Sequence, residues 1–266
     1  MLLGKKTSYP QKYDSTILYP VERILKRKDI NYSDDIFKGK DIWTCYEVSC
    51  LNMNGIPKNY IGILSYSSES KFIIESKSLK LYLNSFNMEK FNELIDFEEV
   101  IRNDLSATLG TEVNFWLYNL KSFNQKYPIV SPFSENIDDL VCGADCYTVN
   151  PDILEIDDKE NYLHINSNLL RSNCLVTGQP DWGTIEIFIK GEVPTKESLL
   201  KYIISFRNHQ EFHEQCIERI ISTLLDKFNI EKCYVKANYV RRGGIDINPI
   251  RCYNMDIPIW DRLVRQ

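Results

Sequence analysis

The nine residues SLKLYLNSF at 78–86 return without a gap as SLLKYIISF at 198–206. Ser, Leu, Tyr, Ser and Phe match at a constant offset of 120 residues. Downstream of the first copy stands Phe97-Glu98-Glu99; downstream of the second stands Phe212-His213-Glu214. A helical pattern follows each, and then a β-like run, EVNFWLYNL at 112–120 and KCYVKANYV at 232–240. The recurrence predicts one supersecondary unit written twice.

Between the copies runs a Pro- and acid-rich stretch, YPIVSPFSENIDDL at 127–140, followed by LEIDDKEN at 154–161. Both read as surface connection and place a boundary within 125–160. The expected modules are residues 1–135 and 136–266. Further strands are expected at 59–64, 71–76 and 183–191, where β-branched residues cluster. Strands and helices segregate within each half, which predicts α+β units rather than a doubly wound sheet. The strongest helix signal starts at Asn208, with Glu211 three residues on as in a capping box. Phe212, Cys216, Ile217, Ile220, Ile221, Leu224, Leu225 and Phe228 then fall at helical spacing. His213 projects into that apolar arc and Glu214 lies at its edge.

A chain of 266 residues with 43% apolar content can bury a sizeable core. Its formal net charge of −5 argues against a protein built to grip nucleic-acid phosphates. The apolar start breaks at Gly4-Lys5-Lys6, so no signal peptide is expected. No apolar run approaches a membrane span. A soluble cytoplasmic protein is the expectation. Eight cysteines are scattered without a disulfide-like spacing, and reduced thiols are expected. Cys142 and Cys146 in CGADC form half a zinc pattern that no second Cys/His pair completes, so no metal is expected.

Several stretches carry chemistry-bearing residues. SNCLVTGQPDWG at 172–183 holds Cys174 and, seven residues later, Asp181. A thiolate attacks electrophilic carbon well when a polar setting or a base activates it. A carboxyl group buried beside an aromatic ring can serve as a proton donor near neutrality. The plainer readings are a thiol in a turn and an aspartate capping that turn. His213 followed by Glu214 reads as a core histidine or as part of a site. In IIESKSLKLYLNSFN at 73–87, Glu75 ends an apolar strand, and Lys77 and Lys80 follow. On composition this is a strand passing into a solvated helix face. The functional alternative puts Glu75 on a polar ligand edge and Lys77 on a phosphate. YVRRGGIDINP at 239–249 offers Gly243-Gly244 backbone N–H groups beside guanidinium, an anion site or a plain hairpin turn. No G-x-G-x-x-G occurs, so a Rossmann cofactor site is not supported.

Taken together these stretches resemble the QueF family of NADPH-dependent 7-cyano-7-deazaguanine reductases of queuosine biosynthesis. The family motif E-[S/L]-K-[S/A]-hydrophobic-K-[L/Y]-[Y/F/W] is met at every position from Glu75 to Tyr82. CLVTGQPDWG, FRNHQEFHEQC and RRGGIDINP match in kind and order, and the opening LGKKTSYPQKYD resembles the longer two-module form. The resemblance implies a tandem tunnelling fold (T-fold), two α+β modules in one chain, assembling as a homodimer. It implies reduction of a nitrile to a primary amine with two NADPH, in a tRNA modification pathway and without direct nucleic-acid contact. It implies a covalent thioimide on Cys174 and protonation by Asp181. By the same carry-over Ile74, Glu75, Ser76, His213 and Glu214 contact the deazaguanine, and Ser76, Lys77, Arg242 and Gly243 contact NADPH. Three other readings stay open on the residues alone. They are a thiol-dependent nitrile or amide hydrolase using Cys174 and His213, a metal-dependent T-fold relative such as a GTP cyclohydrolase, and a non-catalytic binding module.

Overall fold

Val113, Phe115 and Leu117 alternate with Asn114, Trp116 and Tyr118. That period of two lays the first three on one face of a strand, and all three are buried. The same logic runs through the computed structural model, which describes residues 9–10, 12–30, 38–175 and 177–266. Residues 3–8 and Gln11 of the opening motif lie outside the described residues.

The chain divides into two units, each assembled from separate segments. The first comprises Met1–Ile24, Asp41–Ile129 and Arg241–Asp246; the second comprises Leu25–Lys40, Val130–Val240 and Ile247–Gln266. In chain order the elements are β1 (Pro20–Glu22), α1 (Ile24–Arg27), β2 (Lys38–Leu51), β3 (Pro57–Ser67), β4 (Phe72–Ile74), α2 (Ser76–Asn84), α3 (Leu94–Leu109), β5 (Val113–Tyr118) and α4 (Leu120–Lys126). There follow β6 (Ile129–Val130), β7 (Glu135–Asn136), β8 (Tyr162–Ser167), β9 (Arg171–Asn173), β10 (Pro180–Gly191), α5 (Lys196–Ser205), α6 (His213–Lys227), β11 (Ile230–Tyr239), β12 (Ile245–Tyr253) and β13 (Arg262–Leu263).

In the first unit the strands run in the order β5-β3-β2, with β3 antiparallel to β5 from Ile61↔Tyr118 to Tyr66↔Val113. Phe97, Ile101, Leu105 and Leu109 of α3 recur every four residues and are fully buried, as the helical repeat requires. In the second unit the order is β12-β11-β10-β8-β7, and β9 pairs with the start of β10. Ile185, Ile187 and Ile189 of β10 point into one core with Leu199, Tyr202, Ile203 and Phe206 near α5 and Ile217, Ile220, Ile221 and Leu224 of α6. Each such side chain contributes roughly 1.5–3 kcal/mol by leaving water. The alternate residues of the same strands build a polar face. There Glu186 accepts from His164 and Tyr234 and forms an ion pair with Lys236.

The repeated nonapeptide takes the same shape twice. Glu75 caps α2 and Thr195 caps α5, again 120 residues apart. The Ser85 and Ser205 hydroxyls each donate to the carbonyl three residues back, Tyr82 and Tyr202, at 2.6 Å. Tyr82 meets Phe86 edge-on at 5.1 Å, and Tyr202 meets Phe206 edge-on at 5.3 Å.

Two expectations change. The helix predicted from Asn208 begins at His213. Asn208 instead ends a 3-10 turn, Phe206–Asn208, and Glu211 spends its carboxylate on Arg219 and His209 rather than on a cap. The helix after Glu75 is no solvated face: Ser78, Leu79, Leu81, Tyr82 and Leu83 are all buried. Among the described residues no helix is long and apolar enough to cross a membrane.

Candidate active site

Cys174 is the first residue after β9, and a six-residue connection returns the chain to β10. Its N–H donates to the Gln179 carbonyl at 2.8 Å, and its own carbonyl accepts from Gly178 N at 2.9 Å. These two bonds tie Cys174, whose thiol is buried, to Gly178 and Gln179 at the far end of the connection. In the β9–β10 register Ser172 stands opposite Asp181, and Arg171 opposite Trp182. Alternation therefore puts Ser172 and Asp181 on the inner face, where both are buried. Trp182 faces outward, with the Arg171 and Arg207 guanidiniums 5.3 and 5.5 Å from its ring. Asn173 N donates to the His209 carbonyl at 2.7 Å, which ties the hairpin to the segment leading into α6.

That segment delivers His213 as the first residue of α6, with Nε2 3.4 Å from Asp181 Oδ2. Glu214 follows, buried in the first turn, where the helix dipole favours a carboxylate. The His213 ring lies 4.0 Å from that of Tyr239, the last residue of β11. Burial pushes the Tyr239 hydroxyl well above its ordinary value; Cys216 and Asp181 add to the rise while Ser172 opposes it. Burial likewise pushes the Cys216 thiol up to about 12 and the Cys233 thiol to about 12. Thiols held protonated at neutral pH are poor nucleophiles. All eight cysteines are free thiols.

The first unit holds the other predicted residues. Ile74 ends β4, paired with Pro20, and Glu75 caps α2. Glu75 Oε1 accepts from Lys77 N at 3.1 Å and Oε2 from Ser78 N at 2.7 Å. A carboxylate has about four acceptor positions, so each oxygen keeps one for a ligand. Ser76 and Lys77 form the half-buried first turn. Arg242 and Ile245 pair across a two-residue turn, Arg242 N donating to Ile245 O at 2.8 Å. Gly243 and Gly244 take φ of +61° and +80°, the left-handed pair that a tight hairpin demands. A Cβ at Gly243 would lie 3.2 Å from Lys80 Nζ. A cavity of about 40 Å³ opens there between Cys45, Glu47, Lys80, Gly243 and Gly244. Backbone N–H groups in such a turn, next to an ammonium, suit an anion such as a phosphate.

Cys174, Asp181, His213 and Glu214 thus all belong to the second unit, where Asp181 and His213 meet at 3.4 Å, and Ile74, Glu75, Ser76, Lys77, Arg242 and Gly243 belong to the first. A cavity of about 490 Å³ in the second unit lies apart from them, lined by Asp145, Cys146, Asp152, Glu155, Glu197 and Lys201 among others. Ser172 was legible as part of the polar loop around Cys174, but Tyr239 was not legible as a neighbour of the site. Gly183 inside a strand pattern was the available signal, since a strand glycine marks close approach by a neighbour.

Two family models match the chain. One, described as "Nitrile reductase, 7-cyano-7-deazaguanine-reductase N-term", covers residues 9–117. The other, described as "QueF-like protein", covers residues 180–256. A curated relative from Acinetobacter baumannii, named NADPH-dependent 7-cyano-7-deazaguanine reductase, is 43% identical over 270 residues, covering 100% of this chain and 98% of that protein. A crystal structure of the archaeosine synthase QueF-Like in the apo form aligns with 37% of this chain and 99% of its own, at 13% identity and a TM-score of 0.34. A likeness at that level carries no argument.

Proposed function

The chain belongs to the QueF family of 7-cyano-7-deazaguanine reductases, and from that premise we propose how its residues carry the reaction. The protein is an NADPH-dependent oxidoreductase of the queuosine pathway. It reduces the nitrile of 7-cyano-7-deazaguanine to an aminomethyl group. The observation that carries the assignment is the β9–β10 hairpin: it presents Cys174 where it turns and Asp181 where it returns, with His213 3.4 Å from that carboxylate.

The Cys174 sulfur bonds the nitrile carbon. One pair of C≡N electrons moves to nitrogen, which takes a proton from Asp181, and the proton from the broken Cys174 S–H bond restores the Asp181 carboxyl group. The product is a thioimide, C=N–H on carbon bound to sulfur, and nothing leaves. This replaces one hard step by easier ones. Bound NADPH supplies the hydrides, two for each nitrile reduced. Burial of Cys174 and Asp181 keeps water from a carbon–nitrogen double bond that it would hydrolyse. Glu75 and Glu214 accept from the donor edge of the deazaguanine; Ile74, Ser76 and His213 complete its contacts. Ser76, Lys77, Arg242 and Gly243 hold the cofactor. They fit it, because a side chain at Gly243 would fill the cradle beside the Lys80 ammonium.

We also read each half, residues 1–135 and 136–266, as a T-fold module. The paired helices α2/α3 and α5/α6, each followed by a strand, support this. A homodimer working in the cytoplasm, with no nucleic acid bound, completes the proposal. Counting NADPH consumed per amine formed tests it: the ratio expected is two. Ammonia and acid released without NADPH consumption would favour the hydrolase instead.

A further inference from the structure

His213 opens α6, and its Nε2, although 3.4 Å from Asp181 Oδ2, makes no hydrogen bond. An imidazole nitrogen without a hydrogen bond leaves the ring to be fixed by what it packs on. The packing surface is Tyr239, fully buried, its ring tilted 33° to the imidazole at 4.0 Å between centroids. Offset aromatic contact of this kind orients as well as attracts.

The ring of Tyr239 is in turn placed by a missing side chain. Gly183 stands opposite Tyr239 in the β10–β11 register. A Cβ at Gly183 would meet Tyr239 Cδ1 at 3.2 Å and Cε1 at 3.3 Å, with Leu170 Cδ2 at 3.4 Å behind it. Those distances are tighter than ordinary packing, so any side chain there displaces the ring. The strand thus carries Asp181 and, two residues on, the gap that lets Tyr239 reach His213.

We propose that Tyr239 is a positioning residue for the reaction: its ring fixes the His213 imidazole beside Asp181, and Gly183 is glycine to leave that ring its place. The proposal rests on the reading of Cys174, Asp181 and His213 as one site. Steady-state kinetics on the full-length protein test it with Tyr239→Phe, Tyr239→Leu, His213→Ala and the Tyr239→Leu/His213→Ala double variant. Tyr239→Phe keeps the ring and is expected within about threefold of wild-type kcat/KM, whereas Tyr239→Leu loses about tenfold or more. The double variant is expected to be no slower than His213→Ala, because Tyr239 acts through His213. Gly183→Ala keeps the ring but moves it. It should lower kcat/KM in the wild-type background and not in the His213→Ala background, and it carries the test should Tyr239→Leu fail to fold. Fully additive losses, equal losses in Tyr239→Phe and Tyr239→Leu, or wild-type kinetics in Tyr239→Leu and Gly183→Ala would overturn the proposal. Failure of the underlying site reading looks different: Cys174→Ala or His213→Ala would then turn over like wild type.

Discussion

Asp181 is buried on the inner face of its hairpin with a histidine beside it, a setting in which a carboxyl can pass a proton to a substrate nitrogen. Asp181→Asn keeps the shape and removes the acid. It should lower kcat by about 10²–10⁴-fold while a Cys174 adduct with the nitrile remains detectable by mass spectrometry. Wild-type kcat in that variant would remove Asp181 from the mechanism. Glu75 has two separable duties. As the α2 cap its oxygens accept two backbone N–H bonds, so Glu75→Ala should cost about 0.5–2 kcal/mol in denaturant unfolding. Glu75→Gln keeps an acceptor oxygen, so it should recover most of that stability and still raise KM for the nitrile. That Cys174 and Asp181 share one connection was legible in the eight residues 174–181. The Tyr239–His213 stack was not, because residues 26 positions apart in sequence meet there only through strand pairing.

At the scale of elements, the repeat read from five matched residues survives in detail down to the two serine hydroxyls. Ser85→Ala and Ser205→Ala should therefore cost alike, about 1 kcal/mol each, in unfolding followed by circular dichroism. A large cost in one and none in the other would show that the two helices are held differently. The copies part at the next helix. Glu98, in α3, accepts from Leu117 N of β5 at 2.6 Å, whereas the matching position in α6 is His213. Strand positions were legible because alternation and β-branching are local. The start of α6 was not, since it turned on whether Glu211 would cap a helix or pair with Arg219, eight residues on.

For the whole molecule, pH and buried charge set stability. Burial pushes Glu186 up, but Lys236, Tyr234 and His164 together bring it below the usual carboxylate range. Burial pushes Glu211 up too, and His209 and Arg219 bring it below that range. A folded-state value below the unfolded one means stability that is full above the unfolded value, about 4.3, and lost as pH falls through the folded values. The unfolding midpoint should hold steady above about pH 5 and fall below it, with Glu186→Gln and Glu211→Gln flattening that fall. Glu218, fully buried, accepts from Arg27 at 2.7 and 2.8 Å and from Arg251 at 2.9 and 3.1 Å. Glu218→Ala takes the shared carboxylate from two buried guanidiniums and should cost about 3–5 kcal/mol. The division into units built from separate segments escaped sequence reading, because boundary signals such as proline and acidic runs mark only breaks along the chain. The chemistry itself is tested most directly by the intact mass of the protein after mixing with 7-cyano-7-deazaguanine, before any NADPH is added. The account predicts a gain equal to the whole substrate, localised to Cys174 and absent from Cys174→Ala. An unchanged mass in protein that goes on to form amine once NADPH is added, or an adduct that persists in Cys174→Ala, would contradict it.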